Sequence, residues 1–421
     1  MVIKENSFFK RDNLLLVTLA IFLITLPISY GLNSVSVILI GSFFFLDKKT
    51  NILNKIKILK QNKLFLLFLL FFIIQLIGLF YTEDFKRGTK LIQNYLPFVV
   101  IPLTILSEQI NAKKCTKLLY ANCVYMFLLL IGLLIAQFAI NGNFIRFEQQ
   151  FFIKLDISAF YFSAFVYINI MILLFHLKSR KFKNIIDIGL ILFFMYFLIL
   201  LSARISLIIT VISITLFFIR FVNFKKNDIL KKAILIISCV FITSVAAYQV
   251  PQIKKKIDIT IRTMDFDFET ILTKNQISIT RNSVEYRVLI NYCSFQIFKE
   301  NIFGVGTGDN RTEMHKQYKK LNFRAGILEN FNCHNQYLEE ATKTGILGFV
   351  SFILLLFFTF KIALKQKRML FYIIIYISLV CLTESYFYRH HGIMFGAFFL
   401  ALFYNLETAS HTNNFKDTFL S

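Results

Sequence analysis

Long apolar runs, with few residues able to break them, constrain this chain more than anything else in it. They recur from Leu14 to Tyr404, and several approach the ~20 residues a helix needs to cross a bilayer. Only 4 prolines interrupt 421 residues, and the apolar positions carry 52 Phe and no Trp. Hydrophobic residues make up 57% of the chain and its mean hydropathy is +0.64, above the roughly 45–50% apolar content of soluble proteins. The expected fold is an all-α polytopic membrane protein with about 12 transmembrane helices and one long loop outside the membrane.

The spans are read at about 14–30, 35–46, 64–81, 95–106, 118–140, 157–175, 185–201, 205–219, 233–247, 341–360, 369–382 and 392–404. The fourth holds Pro97 and Pro102 and is expected to bend. This divides the chain into an N-terminal bundle of about nine spans (1–249), a polar segment with amphipathic helices (250–340), C-terminal helices (341–405) and a tail (406–421). No internal repeat is visible. No cleavable leader is expected, because the first apolar segment lacks a small-residue cleavage site and further spans follow it.

A net charge of +23 on a soluble chain would suggest nucleic acid. Here basic loops have a simpler use, since they set orientation and sit on anionic lipid. With the N-terminus inside and spans alternating, the inner loops carry 26 Lys and Arg against 7 on the short outer loops. Both termini are therefore expected in the cytoplasm, the 250–340 segment outside, the partners membrane lipids, and no nucleic acid. The six cysteines form no CxxC pair, which argues against structural zinc. Cys293 and Cys333 both fall on the outer side, where pairing is conceivable.

Four polar clusters are expected at the outer ends of these spans. Arg204, in LILLSARISLIIT, sits between two apolar stretches, where a charge needs a polar cavity or a partner. An arginine snorkelling to headgroups would look the same. Arg287 stands near the start of a helix on which Val288, Tyr292, Phe295 and Phe298 recur at helical spacing, as for a helix on a membrane surface. GVGTG follows, with Gly304 and Gly306 permitting a tight turn and close backbone approach to a ligand. It is no Rossmann fingerprint, since no strand precedes it.

His334 lies in NFNCHNQYLEE, where Asn332 or Asn335 suits a helix cap. The spacing puts His334, Tyr337, Leu338 and Ala341 on one helix face, at the outer mouth of a span. Glu329, Glu339, Glu340 and Glu384 are all candidate partners for it. The fourth cluster, TESYFYRHHG, supplies Glu384, Arg389, His390 and His391. Two arginines able to grip phosphate oxygens and a histidine able to move a proton are what transfer from a lipid-linked phosphate requires.

The SAR of Ser202–Arg204, the Arg287 helix leading into FGVGTG, HNQYLEEATKTGILG from His334 to Gly348, and the ending TESYFYRHHGIMFGAFFLALF together resemble the O-antigen ligase family. That family also contains O-antigen polymerases and some protein-directed oligosaccharide transferases. The resemblance implies a GT-C-like, metal-independent, inverting glycosyltransferase of the bacterial inner membrane, with no cofactor. The implied donor is a glycan on undecaprenyl diphosphate, and the implied acceptor is a lipid A–core sugar or another glycan. It assigns Arg204 and Arg287 to the diphosphate and His334 to catalysis, as base or donor-binding group, with Gly304, Gly306, Asn335, Tyr337, Glu384 and Arg389 in support. The chain departs from the family at Asn291 or Tyr292, where Trp is common, and at Asn301 and Ile302, where Pro is common. A polymerase of the same family is the nearest alternative, and the long segment just before His334 favours a ligase. A polysaccharide or small-solute transporter is disfavoured, because the polar clusters sit at span ends rather than at the midplane.

Overall fold

The computed structural model describes residues 11–142, 158–221, 251–366 and 368–408, together with positions 234, 238, 248, 249 and 418. Apart from those positions, the expected span at 233–247 and the tail beyond 408 lie outside the described residues. Every regular element among the described residues is helical.

Helices α1 (Arg11–Thr25) and α2 (Tyr30–Phe45) form an antiparallel pair, and α3 (Lys49–Gln61) leaves α2 at a bend of 111°. Helix α4 (Lys63–Ile77) is capped by Asn62, whose side chain accepts the Phe65 N–H. Asp84 caps α5 (Phe85–Tyr95), and Pro97 opens α6 (Pro97–Ile105) at a position where a missing N–H costs nothing. The expected bend of the fourth span is thus a break between two helices. Four long helices follow in the bundle: α7 (Ala112–Asn141), α8 (Ala159–Ser179), α9 (Ile185–Leu200) and α10 (Arg204–Phe221).

By length and apolar character, Ala112–Ile140, Ala159–Ser179, Arg204–Phe221 and Gln336–Gln366 suffice to cross a membrane, and the bent α2–α3 pair makes a fifth. Asn13–Thr25, Lys63–Ile77, Ile185–Leu200 and Met369–Val380 are apolar but shorter. The chain is a multi-pass helical protein in character, and the expected count of twelve crossings exceeds what the helix lengths among the described residues supply. The expected fourth span is cut at Pro97, and those at 185–201 and 369–382 form helices of only 16 and 12 residues.

The polar segment is a folded unit rather than an open loop. Helices α11 (Pro251–Thr263), α12 (Phe268–Ile277), α13 (Ser283–Glu300), α14 (Asn310–Lys320) and α15 (Arg324–Glu329) precede the next long helix. Ile271, Leu289, Ile290, Cys293, Ile297, Met314, Tyr318 and Phe323 form a core separate from that of the bundle. On α13 the inward stripe is Leu289, Ile290, Cys293 and Ile297, while Val288, Tyr292 and Phe295 are exposed. Cys293 and Cys333 are both buried and free, so the conceivable pairing is not made. Burial pushes the Cys293 thiol up to about 12 and raises that of Cys333 as well.

Helix α16 (Gln336–Gln366) packs on α4, on α13 and on α17 (Met369–Val380). A short 3-10 turn (Tyr386–Tyr388) then leads into α18 (His390–Thr408), whose residues from His390 to Phe403 are all buried. Helix α16 is broken at Thr344 (φ −123°, ψ 16°) and Gly345 (φ 64°, ψ −151°). The glycine turn fills that break: Val305 N–H donates to the Thr342 carbonyl (2.9 Å), Gly306 N–H to Lys343 (2.9 Å), and Ile346 N–H to Ile302 (2.9 Å). Backbone groups released by the kink are therefore satisfied by chain from the polar unit.

Candidate active site

His334 is not on the α16 face that its spacing suggested. The helix begins at Gln336, and His334 precedes it with φ +44°, a left-handed conformation that a non-glycine residue adopts at some cost. Asn335 is the cap, accepting the N–H groups of Tyr337 (3.0 Å) and Leu338 (3.3 Å) on Oδ1. The Asn332 side chain instead accepts the His334 N–H (3.2 Å). These two asparagines hold the histidine backbone in its turn, and the Phe331 ring packs edge-on to the imidazole.

Of the four carboxylates considered for His334, the one that meets it is Glu384, whose Oε2 lies 2.8 Å from Nδ1. The other oxygen, Oε1, accepts Arg287 Nη2 at 2.7 Å, and Arg287 Nε donates to the Thr383 carbonyl at 3.3 Å. One carboxylate thus bridges the histidine and the arginine. Burial acts to raise the Glu384 pKa, but the bonds and charges of His334 and Arg287 outweigh it and hold the carboxyl below the ordinary value of 4.5. With an ionised acceptor on Nδ1, a neutral imidazole carries its proton there and leaves Nε2 as a free lone pair. All three side chains stay partly open to solvent, at 28% for His334, 34% for Arg287 and 22% for Glu384.

Arg204 arrives from the bundle. It opens α10 just after Ser202, whose φ is +53°, and its Nη2 donates to Ser283 Oγ at 3.3 Å, at the start of α13. Arg204 and Arg287 are near enough to repel one another. Two guanidinium groups, a glutamate and a histidine thus meet where the polar unit sits on one end of the bundle. Among the described residues, no group of three His, Cys, Asp or Glu is placed to hold a metal ion.

Gly304 (φ +84°) and Gly306 (φ +106°) make their close approach to the chain itself rather than to open space. A side chain at Gly304 would meet the Lys343 carbonyl, and one at Gly306 would meet Thr82. The turn is a clasp between α4, α16 and the polar unit. Tyr337 is likewise turned away from His334, with its hydroxyl on the Ser378 carbonyl (3.0 Å) and its ring against Phe352. Arg389 does not join the Glu384 bridge and lines a neighbouring cavity.

Residues 188–353 match the family model described as O-antigen ligase. The chain carries a domain of the O-antigen ligase family. A search of curated proteins finds no match. The family domain contains Arg204, Arg287, the glycine turn and His334 but ends before Glu384, so one member of the bridge is contributed from beyond it. That family comprises membrane enzymes of the ligase or polymerase type that handle lipid-linked glycans.

Several residues set the site's geometry in ways the sequence reading did not assign, Glu339 and Glu340 having stood there only as candidate partners of His334. Glu339, fully buried, accepts Asn310 Nδ2 (2.8 Å) and Ser385 Oγ (2.9 Å), tying α14 and the Glu384 segment to α16. Asp309 accepts the N–H groups of Glu83 and Asp84, both at 2.7 Å, and pins the loop after α4. Lys343, also fully buried, bonds Glu340 (2.9 Å) and the Tyr95 hydroxyl (2.6 Å), while Gln75 donates to Glu340 (2.6 Å). A lysine three residues after a glutamate at the head of an apolar helix was the available signal for the last of these.

Proposed function

We propose that the protein transfers a glycan from undecaprenyl diphosphate to a sugar hydroxyl of lipid A–core at the periplasmic face of the inner membrane. The observation that carries this reading is the His334–Glu384–Arg287 bridge with Arg204 beside it. The acceptor hydroxyl oxygen attacks the anomeric carbon of the donor and forms the new glycosidic bond. Its proton passes to His334 Nε2, with Glu384 positioning the ring and stabilising the imidazolium. The bond between the anomeric carbon and the diphosphate oxygen breaks, and its electron pair leaves with the diphosphate. Arg204 and the remaining N–H groups of Arg287 balance that charge. Attack opposite the leaving group inverts the anomeric centre. In this scheme the guanidinium groups do the work of a divalent cation, so transfer is expected to persist in EDTA; loss restored by a divalent ion would overturn the metal-free scheme.

The test is a surface-polysaccharide gel on cells lacking the gene, rescued with wild type, His334→Ala or Arg204→Ala, and scored for capped core and for carrier-linked chains. Capped core should return with wild type alone, long chains accumulating on the carrier in the variants. Single repeats on the core with long chains missing would identify a polymerase. A pattern unchanged by deletion would leave a transporter as the better reading.

A further inference from the structure

Beside the candidate site lies a cavity of about 570 Å³, between the first residue of α2, helix α5, helix α14 and the start of α18. Four permanent cations line it: Arg87 and Lys90 from α5, Arg311 from α14, and Arg389 just ahead of α18. Among the described residues no carboxylate lines it. Arg87 donates to the Tyr388 hydroxyl (2.9 Å) and Arg311 to the Asn330 carbonyl (3.1 Å), both neutral acceptors. Elsewhere Lys55, Lys274, Arg287 and Lys343 each hold a carboxylate. Gathering four cations around one space without a counter-charge is unfavourable, and an anion in that space reverses the sign.

A second observation points the same way. His390 also lines the cavity, is only 5% exposed, and its Nε2 has no hydrogen-bond partner among the described residues. Its ring is held against that of Tyr30, with centroids 3.9 Å apart. A buried ring nitrogen without a partner is costly unless a ligand supplies one. The cavity is also coupled to the candidate site through two short segments. Glu384 and Arg389 belong to one of them, and the other runs from Asn330, which accepts Arg311, to His334.

We propose that this cavity is a second anion site, separate from the Arg204–Arg287 pair, that holds phosphate groups of a lipid-linked glycan substrate. The proposal rests on the glycan-transfer reading above. Arginine forks match phosphate oxygens in pairs, lysine adds a point charge, and the volume falls in the roughly 300–1,000 Å³ range of small-ligand sites. Phosphate is the anion common to a diphosphate-linked donor and a phosphorylated glycolipid acceptor.

The test uses the full chain in phosphatidylcholine nanodiscs, where no anionic lipid competes, with undecaprenyl diphosphate and diphosphoryl lipid A as probes. Lys90→Gln combined with Arg389→Gln should weaken binding of at least one probe by about tenfold or more, the loss of two charge-assisted contacts. Loss for lipid A alone assigns the cavity to the acceptor, and loss for undecaprenyl diphosphate assigns it to the donor. The charge-keeping pair Lys90→Arg and Arg389→Lys should stay within about threefold of wild type, which separates charge from packing. Failure of wild type to bind either probe, binding of the Gln pair within about twofold of wild type, or equal losses in both pairs would overturn the proposal. If cells rescued with His334→Ala make normal capped core while the Gln pair still loses probe binding, the transfer reading fails and the phosphate site stands.

Discussion

At the scale of single residues, Arg287 serves two acceptors at once, Glu384 through Nη2 and the Thr383 carbonyl through Nε. A planar fork does this while keeping N–H groups for a substrate, and an ammonium does not. Arg287→Lys should therefore lose most transfer activity, by roughly 10- to 100-fold if one charged hydrogen bond of about 1.5–3 kcal/mol goes unmade. Near-normal glycan transfer in that variant would count against a role in diphosphate binding. Glu384 supports a pH prediction as well. Its carboxyl is held below the ordinary value in the folded protein, so its contribution to stability is complete above about pH 4.5 and fades as pH falls through the lowered value. Thermal unfolding of wild type and Glu384→Gln from pH 8 to pH 3 should show a gap that is constant at the upper end and closes at the lower. A gap that widened on acidification would contradict the assignment. The sequence made His334, Arg204 and Arg287 stand out, because each is a charge or titratable group beside apolar runs. It left four carboxylates open for His334, since nothing local brings Glu384 back from the far end of α17.

At the scale of elements, the break in α16 does the positioning. Ahead of it the helix carries Glu339 to Asn310 of the polar unit and Ser385 of the Glu384 segment, and beyond it the apolar stretch runs on into the bundle. Gly345 holds φ 64° and ψ −151°, a region essentially confined to glycine, and an added side chain would strike the backbone of Ile302 and Phe303. The neighbouring Glu340–Lys343 pair is fully buried. Lys343→Met should lower unfolding free energy by about 3–5 kcal/mol, because it strands a buried carboxylate. Adding Glu340→Gln to that variant should recover most of the loss, since two neutral groups need no counter-charge. Denaturation of purified protein would show it, and additive losses in the double variant would mean that the two side chains do not act as a pair. This break was hard to read from sequence because no proline marks ATKTGILG and the apolar run follows it directly, so the stretch looks like one span with His334 at its mouth. The glycine clasp that occupies the gap comes from residues 304–306, far enough back that only the tertiary fold reveals the fit.

At the scale of the whole molecule, the bundle has two chemically different ends. At one, Arg11 and Lys55 bind Asp47 and Glu108, His176 meets Asp187 at 2.6 Å, and the exposed lysines of α3 lie close by. At the other, the polar unit sits over Arg204, His334, Glu384 and the cationic cavity. The proposed scheme, resting on the charge asymmetry of the loops, has the first end in the cytoplasm and the lipid-linked glycan met at the second. Sidedness is open to direct test, because Cys115, Cys123, Cys293, Cys333 and Cys381 are all buried and should stay silent toward a charged maleimide. In a background with Cys239 replaced by Ser, Lys319→Cys on α14 and Lys57→Cys on α3 each place one thiol at an exposed position. In intact spheroplasts the reagent should label the cysteine at 319 and spare the one at 57 until the membrane is opened. The reverse pattern would put His334 on the cytoplasmic side, where a transferase acting on exported glycans would have no substrate, and would remove the periplasmic scheme while leaving the geometry of the site intact.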